Sequence, residues 1–243
     1  MKTVAIIQTR MGSSRLPGKV LMDLAGDTMM ARVVERVRAA TTIDEIVIAT
    51  TTRRTDDAIV REAKRIGATT YRGSEDDVLA RYVGAARATS AEVVVRLTSD
   101  CPLLDPDVID TVVAECRADV DYASNTQRRT YPRGLDVEVF HRDTLERVAR
   151  MATSDQAREH VTAFLVERPE LFEVRDVIAS TDDSDLRWTV DAPDDLALVR
   201  NLYELLDLQT GPRPYRELVE AVRARPGFVV ANAHVVQKVV RVA

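Results

Sequence analysis

Short apolar runs and amphipathic stretches alternate along the first half of the chain. Apolar, β-branched runs that end in polar segments are typical of buried strands, and apolar residues spaced three and four apart indicate helices. The predicted strands are residues 4–7, 45–50, 69–71 and 92–97. The first predicted helix covers residues 28–40, and a second begins after the cap Thr55. A third begins at Ser74 and Asp77 and ends at about residue 88, and a fourth begins at Asp105 and Pro106. This alternation predicts an α/β fold with a mainly parallel, doubly wound sheet.

The second half of the chain has a less regular pattern. Residues 136–140 alternate between polar and apolar, which indicates a half-buried strand. Further strands are predicted at 171–178 and 185–190, and further helices at 142–150, 154–167 and from Pro193 to about 208. No Gly/Ser linker, internal repeat or low-complexity tract divides the sequence, so we predict a single domain over residues 1–243.

The composition is that of an ordinary globular protein. The 39 acidic and 34 basic side chains give a net charge of −5, which argues against a general nucleic-acid binder. No apolar run approaches the roughly 20 residues that a membrane helix needs, and the N-terminal run is too short for a signal peptide. Because Cys101 and Cys116 allow at most one disulfide, we expect a reduced, cytoplasmic protein. From the net charge and the short apolar runs, we expect it to bind no nucleic acid and to insert into no membrane.

A loop rich in cations directly follows the first predicted strand. Residues 9–20 contain Arg10, Gly12, Ser13, Ser14, Arg15, Gly18 and Lys19. Three cations and backbone N–H donors at the carboxyl end of a parallel strand suit the roughly −4 charge of a nucleoside triphosphate. The loop is not a Walker A motif, since five residues separate Gly12 from Gly18 and Val20 replaces the Ser or Thr that binds Mg²⁺. On position and composition alone, a solvated loop that binds nothing stays an alternative.

The motifs of the chain resemble those of a known enzyme family. Residues 6–21, IIQTRMGSSRLPGKVL, resemble the opening signature of the sugar-acid cytidylyltransferases, which activate Kdo, sialic acid and related sugars. The likeness is closest to the spore coat polysaccharide biosynthesis protein F group, and it continues through residues 72–74, 77–81, 96–105, 134–139, 158–162 and 187–191. It implies a nucleotide-diphospho-sugar transferase fold, similar to the glycosyltransferase A fold. It also implies transfer of CMP from CTP to a sugar, with an acidic sugar favoured, and release of pyrophosphate, for surface polysaccharide biosynthesis.

The resemblance implies Mg²⁺ as the cofactor, with Asp100 and Asp191 as its ligands. Asp100 lies just past the predicted strand 92–97, and Asp191 follows the predicted strand 185–190. Carboxylate oxygens suit Mg²⁺, which normally uses one or two of them beside substrate phosphates. Two structural roles stay open: Asp100 as a turn residue before Pro102, and Asp191 as a helix cap.

The two substrates are assigned separate sets of residues. The catalytic set is Arg15, Lys19 and Asp100. The nucleotide-binding set is Arg10, Gly12, Ser13, Ser14, Arg15, Lys19, Arg72 and Ser74, with Arg81 as a further member. The acceptor-binding set is Arg133, Asp136, Arg158 and His160. Arg133 suits the carboxylate of an acidic sugar, because a guanidinium binds that group bidentately. Solvated positions are the alternatives for Arg133 and Asp136, and a structural hydrogen bond is the alternative for His160. Ser74 and Asp77 also suffice as a helix-capping pair.

These assignments divide the single domain into two halves. Residues 1–120 bind the nucleotide, and residues 121–243 bind the acceptor sugar, complete the metal site and include C-terminal helices. Related sugar-acid enzymes are commonly dimers, so a homodimer is expected, with the valine-rich tail 229–240 contributing to the interface.

Two other functions stay open at this point. One is a glycosyltransferase that uses a nucleotide-sugar, and the other is a non-catalytic nucleotide-binding protein of a polysaccharide pathway. Glycosyltransferases usually carry an Asp-x-Asp motif after a strand. That spacing occurs here at residues 105–107, 119–121 and 183–185. The first site opens a helix and the second precedes a strand, so both are poorly placed for a metal.

Overall fold

A seven-stranded sheet organises the computed structural model, which describes residues 1–237. The strands of this part of the chain are β1 (Thr3–Gln8), β2 (Asp23–Leu24), β3 (Asp27–Thr28), β4 (Glu45–Thr51), β5 (Thr69–Gly73), β6 (Val93–Thr98), β7 (Tyr122–Ser124), β8 (Glu138–His141) and β9 (Val174–Asp176). β2 and β3 form a small ribbon of their own. The others form the sheet in the order β5-β4-β1-β6-β8-β7-β9.

All strands of the large sheet except β8 run in the same direction. β1 pairs in parallel with β4 and β6, and β4 pairs in parallel with β5. β8 is antiparallel to its neighbours β6 and β7, and β7 is parallel to β9. The prediction of an α/β fold with a mainly parallel sheet is confirmed. Gln8 and Thr98 are register partners at the ends of β1 and β6, so the loops that follow these two strands begin side by side.

Helices cover both faces of the sheet. They are α1 (Met29–Arg38), α2 (Asp57–Arg65), α3 (Val78–Ala88), α4 (Pro106–Glu115), α5 (Arg142–Met151), α6 (Asp155–Glu159), α7 (Ala163–Glu167), α8 (Pro193–Leu205), α9 (Tyr215–Arg223) and α10 (Pro226–Val230). Ala5 and Ile7 of β1 belong to an apolar cluster with α1, α4 and α8, whereas Val4 and Ile6 belong to one with α3 and α5. The strand is apolar throughout because it is covered on both sides. Within residues 1–237 no helix has the length and apolarity that crossing a membrane requires.

Two of the three predicted helix caps are confirmed. Asp105 accepts hydrogen bonds from two backbone N–H groups at the start of α4, at 2.7 and 3.2 Å. Asp77 accepts one from α3 at 2.8 Å. The prediction for Thr55 is wrong, because Thr55 lies inside the 3-10 turn Arg54–Asp56 and α2 begins after that turn.

The helix predicted over 154–167 is interrupted in its middle. Val161 is fully buried in a left-handed backbone conformation, with φ of 52°, and it separates α6 from α7. Next to it, the Thr162 hydroxyl donates to Glu138 Oε1 on β8 at 2.7 Å. A regular helix would not bring both residues to these positions, so contacts with the sheet outweigh the helical pattern.

The segment 186–191, which we call the crossing segment, is not the regular strand predicted over 185–190. It forms only an isolated bridge with the loop at Arg133, whose backbone exchanges hydrogen bonds with it at 2.9 and 2.6 Å. Val190 N–H then donates to the Asp100 carbonyl at 2.8 Å. These bonds bring the end of the crossing segment to the turn that follows β6.

Two further differences concern short elements and the tail. β7 has three residues, too few to stand out in the sequence pattern, and the strand predicted over 171–178 is reduced to the three residues of β9. The valine-rich tail predicted as an interface begins within α10, and its residues 238–240 lie outside the described residues.

Gly134 allows the crossing segment to pack against the Arg133 loop, so its substitution tests this packing. Its φ is 110°, and a Cβ atom there would lie 2.6 Å from the backbone nitrogen of Thr189. Backbone strain alone costs about 1–3 kcal/mol. Because the clash adds to the strain, Gly134→Ala is expected to lower the melting temperature by roughly 4–12 °C, measured by calorimetry.

Gly26→Ala is the matched control. Gly26 also has a left-handed φ, of 85°, but a Cβ atom there would meet nothing within 4 Å. Its melting temperature should therefore fall by less than half as much. Equal falls for the two variants would contradict the packing role of Gly134.

Candidate active site

The loop between β1 and α1 turns back over the carboxyl end of the sheet. Met11 anchors it, since its N–H donates to Asp56 Oδ1 at 2.9 Å and its carbonyl accepts from Gly18 N–H at 3.1 Å. Gly18 has φ of 70°, a left-handed conformation that precedes the 3-10 turn Lys19–Leu21. The turn directs the Lys19 side chain inward, where only 9% of it is exposed.

The Lys19 ammonium lies between two carboxylates. Its Nζ is 2.9 Å from Asp100 Oδ2 and 2.9 Å from Asp191 Oδ1, and it donates to the Val190 carbonyl at 2.6 Å. We call Lys19, Asp100 and Asp191 the Lys19 cluster. Burial lowers the pKa of Lys19, but the two carboxylates outweigh burial and raise this pKa above its ordinary value. Lys19 is therefore a cation with all three of its donors in use.

Asp191 is surrounded by cations. Arg15 Nη2 and Arg187 Nη2 both lie 2.8 Å from Asp191 Oδ2, while Lys19 contacts the other oxygen. Burial raises the pKa of Asp191, but these cations outweigh burial and bring the pKa below its ordinary value. Asp191 is therefore an anion at neutral pH, and its surroundings also suit a ligand with several negative charges.

Two adjoining cavities open on the Lys19 cluster. The loop cavity, of about 490 Å³, is lined by the loop after β1 and by Arg81 of α3. The β8 cavity, of about 650 Å³, is lined by Glu138 of β8 and by parts of the loop 126–136 and of the turn between α6 and α7. The residues that line both cavities are Arg15, Arg96, Thr98, Asp100, Glu159, His160 and Asp191. Both carboxylates of the cluster thus lie at the junction, where atoms of two ligands can meet.

The loop cavity brings together most of the residues predicted to bind the nucleotide. They are Arg10, Gly12, Ser13, Ser14, Arg15, Lys19 and Arg81. Arg72 and Ser74 line neither cavity. The Arg72 guanidinium donates to Asp57 Oδ1 at 2.7 Å and to the Thr51 carbonyl at 2.9 Å, and the Ser74 hydroxyl accepts from Asp77 N–H at 3.1 Å. For Arg72 or Ser74 to contact a nucleotide in the loop cavity, these partners would have to change.

The β8 cavity presents the Arg133 guanidinium, which forms no ion pair or side-chain hydrogen bond with the described residues. Within residues 1–237 no side chain pairs with Arg133, whereas Arg129 binds Asp136 bidentately, at 2.6 and 3.0 Å. Burial, followed by the charge of Arg129, lowers the pKa of Arg133, and an arginine remains a cation all the same. A half-buried cation that forms no ion pair within residues 1–237 suits an anionic group of a ligand.

The turn between α6 and α7 brings Glu159 and His160 to the junction, but it does not bring Arg158 there. Arg158 Nε donates to Asp77 Oδ2 at 3.0 Å, and Arg158 Nη1 donates to the Ala149 carbonyl at 2.9 Å. The contact with Asp77 ties α6 to the cap of α3. Of the predicted acceptor set, Arg133, Asp136 and His160 therefore line the β8 cavity and Arg158 does not.

Sequence reasoning missed a buried ion pair that lines the β8 cavity. Arg96 of β6 contacts Glu138 of β8, and Glu138 Oε1 also accepts from the hydroxyl groups of Tyr122 at 2.5 Å and Thr162 at 2.7 Å. An arginine inside the apolar run of β6 is the signal for such a pair, because a buried charge needs a partner. The signal does not identify Glu138, which lies 42 positions further along the chain.

The three Asp-x-Asp sites lie away from both cavities. Asp105 caps α4, Asp121 pairs with Arg147 at 2.6 Å, and Asp185 pairs with Arg223 at 2.6 Å. None of these carboxylates lines the loop cavity or the β8 cavity. This placement argues against the glycosyltransferase alternative.

The carboxylates at the junction fit a cation that prefers oxygen ligands. Within residues 1–237 no group of three or more His, Cys, Asp or Glu side chains could hold a metal ion. Asp100 and Asp191, however, already reach one cation together, the Lys19 ammonium. Mg²⁺ uses one or two carboxylates and completes its coordination with water and substrate phosphates. The donor set therefore fits Mg²⁺ in the presence of a phosphate-bearing ligand, and it does not fit zinc.

Comparison with known sequences identifies relatives over most of the chain. A family model described as cytidylyltransferase matches residues 4–220. The spore coat polysaccharide biosynthesis protein SpsF of Bacillus subtilis is 35% identical over 217 residues, which cover 86% of this chain and 88% of SpsF. The 3-deoxy-manno-octulosonate cytidylyltransferase of Anaeromyxobacter dehalogenans is 36% identical over 159 residues, which cover 64% of this chain and 62% of that enzyme.

A solved structure has the same fold. The cytidylyltransferase from Leptospira borgpetersenii serovar Hardjo-bovis superimposes with a TM-score of 0.88 and 30% sequence identity, over 94% of this chain and 97% of that one. The resemblance found in the sequence motifs is confirmed by the family model, by the relatives and by this fold. The chain belongs to the cytidylyltransferase family of nucleotidyltransferases.

Proposed function

We propose that the protein transfers CMP from CTP to a small acidic sugar and releases pyrophosphate, as a cytoplasmic step of surface polysaccharide biosynthesis. The observation that carries this proposal is the position of Asp100 and Asp191 at the junction of two cavities. The names of the relatives support the finer points, since one is a 3-deoxy-manno-octulosonate cytidylyltransferase and another a spore coat polysaccharide biosynthesis protein. Cys101 and Cys116 are both unpaired, which agrees with a reducing compartment.

In this proposal the triphosphate of CTP lies in the loop cavity. Arg10, Arg15 and Lys19 line that cavity beside the backbone of the loop. Their three charges oppose the roughly −4 charge of the triphosphate. Arg15 and Lys19 are fixed by Asp191 before the ligand arrives, at 2.8 and 2.9 Å. Charges fixed in advance need little reorganisation when negative charge builds up on the departing pyrophosphate.

The acceptor sugar lies in the β8 cavity. Arg133 pairs with its carboxylate, Asp136 accepts from one of its hydroxyl groups, and His160 contacts it at the junction. Another sugar hydroxyl faces the α-phosphorus of CTP there. Its oxygen forms the new bond to phosphorus as the bond to the pyrophosphate oxygen breaks, and its proton passes to water. Holding the two ligands in line supplies most of the acceleration in such a reaction.

Asp100 and Asp191 would hold Mg²⁺ beside the phosphates. When bound, the ion supplies positive charge at the phosphate oxygens and favours ionisation of a nearby hydroxyl group. The contribution of the protein is to hold the two carboxylates close together. Lys19 does so by contacting both, and Thr98 fixes Asp100 further through a hydrogen bond of 2.6 Å to Oδ1.

The proposed function is tested by pyrophosphate release. With Mg²⁺ and a panel of carboxylate-bearing and neutral sugars, CTP should support the fastest release with an acidic sugar, and release with ATP, GTP or UTP should be much slower. Cytosine offers an N4 donor where uracil offers an O4 acceptor, and a buried mismatch of this kind costs about 1–3 kcal/mol. We expect rates with UTP to be lower by roughly 10-fold or more. Equal rates with all four nucleotides, or transfer from a nucleotide-sugar only, would contradict the proposal.

The role of Asp100 is tested by Asp100→Asn. Asparagine keeps the size of the side chain and its turn hydrogen bonds, but it removes the anion. Loss of several kcal/mol of charge stabilisation should lower turnover roughly 100-fold or more, with little change in melting temperature. The measurement is the steady-state rate of pyrophosphate release at saturating Mg²⁺.

Asp107→Asn is the matched control, because Asp107 is an exposed acid on α4 that lines neither cavity. Its turnover should equal that of the unmodified protein. If Asp100→Asn also kept full activity, Asp100 would only shape the turn before Pro102, and the metal assignment would fail.

A further inference from the structure

The segment after α10 returns to the β8 cavity. Asn232 is buried, and its Nδ2 donates to the Arg187 carbonyl at 2.9 Å and to Asp195 Oδ1 at 2.7 Å. Gln237, at the end of this segment, lines the β8 cavity. We call residues 232–237 the return segment. A buried amide with two hydrogen bonds therefore fixes the return segment beside the site.

Arg187 connects Gln237 to the Lys19 cluster. Its Nε donates to Asp195 Oδ1 at 3.0 Å, its Nη1 to Gln237 Oε1 at 2.6 Å, and its Nη2 to Asp191 Oδ2 at 2.8 Å. The guanidinium is planar and rigid, so one group sets the position of Gln237 relative to Asp191. Arg187 itself is only 9% exposed, which leaves this connection little freedom.

A second connection runs through Arg15. Arg15 Nη1 donates to the Val236 carbonyl at 3.0 Å, while its Nη2 lies 2.8 Å from Asp191 Oδ2. Two arginines that both contact Asp191 thus hold neighbouring residues of the return segment. The segment lies against the site through two independent contacts, one to a side chain and one to the backbone.

The amide of Gln237 still has donors for a ligand. Arg187 occupies its oxygen, and among residues 1–237 no protein group accepts from its nitrogen. The carboxamide nitrogen carries two N–H donors. It lines the same cavity as the Arg133 guanidinium, which also lacks a protein partner in the described chain. Both groups present only N–H donors, so this cavity suits a molecule rich in oxygen acceptors.

We propose that Gln237 is a specificity-determining residue that donates a hydrogen bond to an oxygen of the acceptor sugar, and that Asn232 is a positioning residue that holds Gln237 there. This inference rests on the proposed function, because it needs the acceptor in the β8 cavity. It assigns the return segment to the site, and the sequence motifs point to no such role for these residues.

The test separates the donor from the side chain that carries it. Gln237→Glu keeps the size and the oxygen that Arg187 binds, but it removes the N–H donors and adds a negative charge. Gln237→Ala removes both functions. With an acidic sugar, Gln237→Ala should raise the acceptor KM roughly 3- to 10-fold, the range expected for one lost hydrogen bond, while kcat and the KM for CTP change by less than about 2-fold. Gln237→Glu should raise the acceptor KM more.

A binding measurement provides a second readout. Calorimetric titration of the acceptor into the protein saturated with Mg²⁺ and a non-reactive CTP analogue should show a loss of affinity for both variants, and the loss should be larger for Gln237→Glu. Asn232→Ala should also weaken acceptor binding, and it should lower the melting temperature because it removes two buried hydrogen bonds.

His234→Ala is the matched control. His234 lies in the return segment, but its Nε2 is 3.0 Å from Asp194 Oδ2 on the exposed surface, and it lines neither cavity. Its acceptor KM should equal that of the unmodified protein.

The outcomes distinguish the two proposals. Unmodified protein that releases no pyrophosphate with any sugar would overturn the proposed function. Active protein in which Gln237→Ala and Gln237→Glu keep the original acceptor KM and affinity would overturn only the role of Gln237. A loss of CTP affinity equal to the loss of acceptor affinity would also overturn it, because the return segment would then support the site as a whole.

Discussion

The ion pairs of the Lys19 ammonium with Asp100 and Asp191 are the interaction on which the site depends. They join three parts of the chain that are far apart in sequence: the loop after β1, the turn after β6 and the end of the crossing segment. Removing Lys19 would cost about 3–5 kcal/mol, as for a buried ion pair that loses one partner, whereas Asp100→Asn leaves Lys19 paired with Asp191. Lys19 is therefore the member of the cluster whose loss would affect both carboxylates. The mutual attraction of the three side chains keeps two carboxylates adjacent at the junction of two cavities.

The sheet provides this arrangement because parallel strands end at one edge. β1 and β6 pair in parallel, so Lys19 and Asp100 start from neighbouring strand ends. Asp191 arrives by a different route, since the crossing segment is held by the backbone of Arg133 and by the close approach at Gly134. The antiparallel β8 places Glu138 and the β8 cavity next to β6. One edge of the sheet thus borders both cavities.

The sequence predicts the parts of this structure that local pattern determines. The apolar run of β1, the loop after it and the Asp105 cap follow from local pattern. The shared metal role of Asp100 and Asp191 is implied only by the family resemblance. Contacts over long sequence distances explain the failures. Val161 interrupts a helical pattern because the neighbouring Thr162 binds Glu138. Arg158 lies in a family motif and yet turns to Asp77, a contact that no local pattern shows.

We propose that Asp100 and Asp191 bind a divalent cation where the two substrates meet. Anomalous diffraction from crystals grown with Mn²⁺ and a non-reactive CTP analogue tests it most directly. We predict a manganese peak within coordination distance of both carboxylates, with the triphosphate in the loop cavity beside Arg15 and Lys19. A peak elsewhere on the protein, or a triphosphate bound outside the loop cavity, would contradict the account.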